Sequence, residues 1–267
     1  MRLDRAAIVL RPRTIAEVVD LAFRLTFSLA LPLYAKLSAL VLLPILAGAL
    51  ALHYAAEWGW VAVWAFVILA SVVAQGVFTV AAGRLLFSED LRVREVLGAY
   101  FRRLPSYFFA LVFSQVLLVA AAGASLFVAL PFVWPSLVFV HEASLLEGAA
   151  PVAAMQRASR FVKGRAWTTF GLLSMLLVGQ AGALLIGELL GQSLLDDVLQ
   201  LGKPFGSLFD GGGSPFAILG LLVSVPFVAT ARFLQYIDTR TRSDGWDVQV
   251  RFLAIASKES NERRLVA

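Results

Sequence analysis

Five long stretches of this chain carry no charged side chain, and they organise everything else in it. Residues 37–56, 59–83, 166–187 and 214–231 are each uncharged and mainly apolar. Each is close to the length of about 20 residues that a helix needs to cross a hydrocarbon layer. The fifth stretch, residues 104–140, runs for 37 residues without a charge. No segment alternates apolar and polar residues with the period of two expected of a barrel strand. The pattern predicts an all-α polytopic membrane protein. Its one open question is whether the stretch 104–140 crosses once or twice.

The basic residues answer that question, because cytoplasmic loops collect Lys and Arg. If the stretch crosses twice, six spans result, both termini lie in the cytoplasm, and 22 of the 23 basic residues fall inside, with Lys203 alone outside. A single crossing would leave 12 inside and 11 outside, with no bias at all. Two crossings of about 17 residues each are at the short end of what spans. The sequence therefore predicts six transmembrane helices, at about 33–56, 59–83, 104–122, 124–141, 166–190 and 214–236, within a single membrane domain over 1–267. Residues 191–213 form an outer loop and 237–267 a cytoplasmic tail. The turn of the short hairpin is expected near 122–125, with Gly123 its most permissive residue.

Amphipathic interfacial helices are expected on the cytoplasmic face. Thr14 and Glu17 form a capping box at the start of a helix with Ile15, Val18, Ala22 and Leu25 on one side, so residues 1–32 read as an N-terminal interfacial segment. Residues 95–102 match 17–24 at four positions of eight, and a basic helix over 151–163 precedes the fifth span. Three units, each a surface helix followed by a hairpin, would account for this.

Within the spans, Gln75, Gln115 and Gln180 are the deep polar side chains, and Lys36 and Glu188 lie at span ends. The glutamines read either as a substrate patch or as interhelical hydrogen bonds worth about 0.6 kcal/mol each; the second is preferred because no buried ion pair accompanies them. Gly179, Ala183, Gly187 and Gly191 recur every four residues, a helix-packing stripe that lets a neighbour approach closely. Pro44, Pro131, Pro135 and Pro226 are expected to bend their spans.

Composition changes the picture little: 60% of residues are hydrophobic, 15% are charged, and mean hydropathy is +0.81. The net charge of +5 is loop charge that sets orientation, so no nucleic-acid partner is expected. Without cysteine there are no disulfides or thiolate ligands. The only histidines, His53 and His141, fall on opposite faces in the six-span topology, and no GxSxG elbow or phosphate-cradling glycine loop is present. No catalytic residue, metal site or cofactor is assigned, and the protein is read as not an enzyme.

Residues 141–164 resemble a stretch in which a span ends in Glu, an Ala-rich helix carries Arg-x-Ser or a close variant, and Gly precedes an aromatic-led span. Tyr236, Asp238, Arg240, Arg242, Gly245 and Asp247 resemble a Tyr-x-Asp-x-Arg-x-Arg-x-x-Gly-x-Asp ending. With the run from Arg11 to Arg24, these resemble bacterial six-span proteins akin to the membrane domain of glycerophosphoryl diester phosphodiesterase. Arg157-Ala-Ser159 departs from the commoner form, and about twenty residues after the last motif leave no room for a phosphodiesterase barrel, so the enzyme's activity is not implied. What the resemblance implies is a cytoplasmic polar cluster, assigned here to Glu142, Arg157, Arg160, Asp238, Arg240, Arg242 and Asp247.

The expectation is a non-enzymatic protein of the bacterial inner membrane that acts through this face as a scaffold or assembly partner in envelope upkeep. The alternative is a small transporter or lipid translocator with a path past the glutamines. Expected partners are membrane lipids, anionic ones among them, and a cytoplasmic or membrane protein; the oligomeric state is left open.

Overall fold

The computed structural model describes residues 13–86 and 91–244. Asp247 and most of the tail over 237–267 lie outside the described residues, as do residues 1–12. The described chain is helical throughout, with no strand. Five of its helices are long and apolar enough to cross a membrane. They are α2 (Leu31–Tyr54), α3 (Trp60–Leu85), α4 (Val93–Ala124), α8 (Ala166–Ser193) and α10 (Pro215–Asp244). Shorter helices connect them: α1 (Ile15–Arg24), α5 (Leu130–Val138), α6 (Val140–Leu145), α7 (Pro151–Val162) and α9 (Leu208–Gly211). In lipid a backbone amide finds no water, so helices that satisfy their own amides are the available solution for such apolar runs.

Local chemistry places the ends. The Glu17 carboxylate accepts the Thr14 amide at 2.8 Å while Thr14 Oγ1 accepts the Glu17 amide at 3.3 Å, closing the capping box that starts α1. Ser207 caps α9 in the same manner, its Oγ accepting the Asp210 amide. Residues 95–102, matched in sequence to α1, differ from it in context: they are the first turns of α4 and run into the apolar part of that helix without a break.

The 37-residue uncharged stretch doubles back. α4 continues through Gly123 to Ala124, and the turn occupies Ser125–Ala129, slightly later than expected. Ser125 makes it: its Oγ donates to the Ala121 carbonyl at 2.6 Å and accepts the Ala129 amide at 3.0 Å, closing the turn on both sides. Leu126 and Phe127, not a glycine, take the left-handed backbone, at φ 48° and 69°. The returning chain, α5 and α6, packs on α4. Tyr107 Oη meets His141 Nδ1 at 2.7 Å, and Arg103 Nη1 donates to the Leu145 carbonyl at 2.8 Å. Stepping back four residues on one helix and forward four on the other is the register of antiparallel neighbours. The two ends of the stretch therefore lie side by side.

The described residues group into two compact units, and α1, α3, α8 and α10 each contribute to both. The first contains most of α1, the end of α3, α4 to α7, the start of α8 and the end of α10. Its core is built on Val18, Val96, Tyr107, Phe139, Ala158 and Phe233, all buried. The second contains α2, most of α3, most of α8, α9 and the first half of α10, with Tyr34, Leu37, Val67, Phe78, Ile218 and Leu222 in its core. Across the most apolar window of each long helix, α10 is 67% buried and α2 and α8 only 17%, so α10 is the most enclosed of the five.

Within the second unit α8 packs on α10 through glycine. A Cβ on Gly187 would lie 2.7 Å from both the Gly220 Cα and the Phe216 carbonyl oxygen; one on Gly191 would overlap the Phe216 ring, and one on Gly220 the Ala183 carbonyl. Gly179, at the other end of the stripe, would meet nothing within 4 Å. Overpacking a close contact costs about 1–3 kcal/mol. Gly187→Leu should therefore lower the thermal unfolding midpoint in mild detergent by several degrees and reduce the folded yield, with Gly179→Leu close to the parent.

Candidate functional site

The first unit carries a network of charges around the end of α10. On a helix, residues four apart share a face, so Arg232, Tyr236 and Arg240 form one stripe along α10, with Asp238 and Arg242 on another side. Each stripe meets a different part of the chain.

The first stripe meets Glu142 on α6 and Glu147, which follows α6. Glu147 is the hub. Its carboxylate accepts hydrogen bonds from Tyr236 Oη and Arg157 Nη1 and lies 3.1 Å from Arg240 Nη1. Gly148, at φ +68°, turns the chain after it and leaves room for the Arg103 guanidinium, which would lie 3.1 Å from a Cβ there. Glu142 is different. It is fully buried, and among the described residues neither of its oxygens accepts a hydrogen bond. Its nearest cation is Arg232, at 3.9 Å, whose Nη2 also donates at 2.5 Å to the Val138 carbonyl where the chain breaks between α5 and α6. Burial pushes the Glu142 carboxyl up from its ordinary range, against the opposing pull of the Arg232 guanidinium.

On the other stripe, Asp238 is 2% exposed and ties together three segments. Arg242 Nε approaches both of its carboxylate oxygens, at 3.0 and 3.2 Å; Arg165, just before α8, lies at 3.8 Å; and the Arg13 amide donates to it at 2.6 Å. Arg242 Nη2 in turn donates to the Arg13 carbonyl at 2.8 Å. The segment leading into α1 is thus clamped by its backbone, independently of the side chain at position 13.

Of the residues assigned from sequence, Glu142, Arg157, Asp238, Arg240 and Arg242 fall in this network. Arg160 lies on the exposed side of α7 with no ion-pair partner among the described residues. Glu147, Arg232, Arg165 and Tyr107 were not singled out as site residues. Glu142 lies on α6 and Glu147 in the turn beyond its end, and no spacing in the sequence separates the roles of the two carboxylates.

A cavity of about 340 Å³ opens beside the Glu147 hub. Arg84, Arg103, Arg240 and Glu147 supply its charges, and Val80, Leu146, Phe233 and Ile237 supply apolar wall. A second cavity of about 340 Å³ lies within the other unit, between α2 and α10. It is almost wholly apolar, and the Tyr34 hydroxyl on its wall is engaged with Thr230 Oγ1 at 3.0 Å. The intramembrane glutamines line neither cavity. Gln75 is buried on α3, Gln115 is half-buried on α4, and Gln180 on α8 donates to Ser224 Oγ at 3.4 Å. Glu188 is 1% exposed near the end of α8 and holds the following loop, accepting from the Leu208 amide at 2.8 Å, from Gln192 at 3.1 Å and from the Ser214 hydroxyl. No cluster of metal-ligating side chains occurs among the described residues.

These features define a helical membrane protein with a preorganised charged end. No protein-family model, curated protein or solved structure matches the chain.

Because the folded state holds the Glu142 proton more tightly than the unfolded chain does, this group contributes most stability at low pH. The contribution declines as pH rises from the ordinary carboxyl value near 4.5 through the raised folded value. Glu142→Gln keeps the shape and removes the titration. Thermal unfolding in detergent between about pH 4 and 7 should show the variant gaining on the parent as pH rises; parallel curves would mean Glu142 does not titrate differently on folding.

Proposed function

We propose that this is a non-enzymatic bacterial inner-membrane protein that acts through its charged face as a scaffold or assembly partner in envelope upkeep. The observation that carries the reading is the joining of the α1 lead-in, the end of α6, α7, the entry of α8 and the end of α10 by two carboxylates, the part-buried Glu147 and the buried Asp238. Such a network adds little net stability for the desolvation it requires, and its best use is to fix segments in register. What is fixed here is a surface that presents Arg157 and Arg160 outward. The glutamines give the transporter alternative no comparable support, since they line neither cavity.

In this reading the chain crosses six times with both termini cytoplasmic, and the stretch 104–140 is two short crossings. Its antiparallel register supports that topology, as does the partition of 22 basic residues against one. The resemblance of residues 11–24, 141–164 and 236–247 to the six-span proteins akin to the phosphodiesterase membrane domain belongs to the same proposal.

Two experiments test it. A membrane-impermeant maleimide should label Lys203→Cys in intact cells and Ser159→Cys only after permeabilisation; labelling of Ser159→Cys from outside would split the charged face between compartments. Replacing Arg240 and Arg242 together with alanine should deplete the set of proteins that co-purify after gentle extraction, while alanine at Gln75, Gln115 and Gln180 leaves that set unchanged. The opposite pattern would favour transport.

A further inference from the structure

The cavity beside Glu147 combines two features that rarely occur together on a surface that only pairs with itself. Three arginines from three helices converge on it: Arg84 from the end of α3, Arg103 from α4 and Arg240 from α10. Among the described residues one carboxylate, Glu147, faces them, and it also serves Arg157 outside the cavity. The lining therefore carries a clear excess of positive charge. Arg103 and Arg240 are held in place by the Leu145 carbonyl and by Glu147. Arg84 is exposed and has no ion-pair or hydrogen-bond partner among the described residues. A guanidinium held open beside two that are fixed is an arrangement that receives an oxyanion, since arginine donates in a planar fork matched to phosphate oxygens.

The rest of the lining excludes a purely soluble anion as the best fit. Val80, Leu86, Leu146, Phe233 and Ile237 give the cavity an apolar side, and the cavity lies where the apolar lengths of α3, α4 and α10 give way to charge. A ligand with an anionic phosphate at one end and hydrocarbon at the other satisfies both. We infer that this cavity binds the phosphodiester headgroup of an anionic phospholipid, with Arg84 as the contributing cation free to close on it and the apolar wall taking the start of an acyl chain. The site deepens the scaffold reading by giving the charged face a lipid ligand, and it rests on that reading only for the side of the membrane it faces.

The test uses the purified full chain in an uncharged detergent at low salt, so that lipid binding is read without any protein partner. A failed co-purification above would leave it intact. The probes are dihexanoyl phosphatidylglycerol, dihexanoyl phosphatidylcholine and sn-glycerol 3-phosphate, titrated while the unfolding midpoint and binding heat are followed. Phosphatidylglycerol should bind saturably and at least about tenfold more tightly than the other two, the scale of a lost charged contact. Arg84→Gln removes the free cation, and Ala99→Phe, on the α4 wall, fills the space without changing charge. Each should weaken phosphatidylglycerol binding about tenfold or more. Arg94→Gln makes the same charge change at an exposed α4 position outside the cavity and should have little effect. Equal binding of the two lipids would overturn the inference, as would equal losses in Arg84→Gln and Arg94→Gln or an Ala99→Phe protein that binds like the parent. Glycerol phosphate binding as tightly as the lipid would also overturn it, in favour of a site for soluble phosphate esters.

Discussion

A carboxylate taken out of water must find a cation or a proton, and in this chain that constraint acts hardest at the end of α10. Glu147 and Asp238 meet it with arginines drawn from other segments, so the ion pairs also determine which segments lie together. Arg157 belongs to α7, Arg165 to the entry of α8, and the Asp238–Arg242 pair holds the backbone of residue 13 at the entry of α1. Removing one partner would strand a buried charge, which costs far more than the intact pair contributes. The exposed side of the network is weaker. Arg157 is half exposed, and solvent screens what it adds. Its contribution is positional: it brings the α7 surface to the Glu147 hub.

Glu142 shows the same constraint met by the other route. It is more completely enclosed than Glu147, yet its cation stays at 3.9 Å and is partly occupied by the Val138 carbonyl. With no donor at either oxygen among the described residues, burial disfavours the charged form, which is the direction in which its pKa moves. Two acidic residues five positions apart thus differ in setting, one an ion-pair hub at the edge of the fold and the other an enclosed carboxyl whose charged form burial disfavours.

This difference explains how much the sequence could reveal. The long helices were legible because lipid imposes a length and an absence of charge that any residue window can measure. The α1 capping box was legible because both of its partners lie within four residues. The turn after α4 was only partly legible: glycine is the usual guide to a left-handed backbone, but here Gly123 stays helical and the Ser125 hydroxyl closes the turn, leaving Leu126 and Phe127 to take the strained conformation. The charged network was legible as a group of residues and not as a set of pairs. Tyr236 and Glu147 are 89 positions apart, and Arg13 and Asp238 are 225 apart. Which acid meets which base depends on the break at Phe139 and the positive φ of Gly148, neither of which composition or spacing encodes.

The cavity beside the hub follows from the same geometry. Because Glu147 is shared between Arg240 and Arg157, it cannot also neutralise Arg84 and Arg103, and Arg103 is already turned toward a backbone carbonyl. A self-contained ion-pair network would have balanced its charges locally, as Asp238 and Arg242 do on the other side of α10. Here, among the described residues, the balance is left unfinished on the side lined by Phe233 and Ile237, where hydrocarbon is as acceptable as charge. The missing negative charge is therefore best supplied by a molecule that brings its own apolar part, and the membrane around α3, α4 and α10 is made of such molecules.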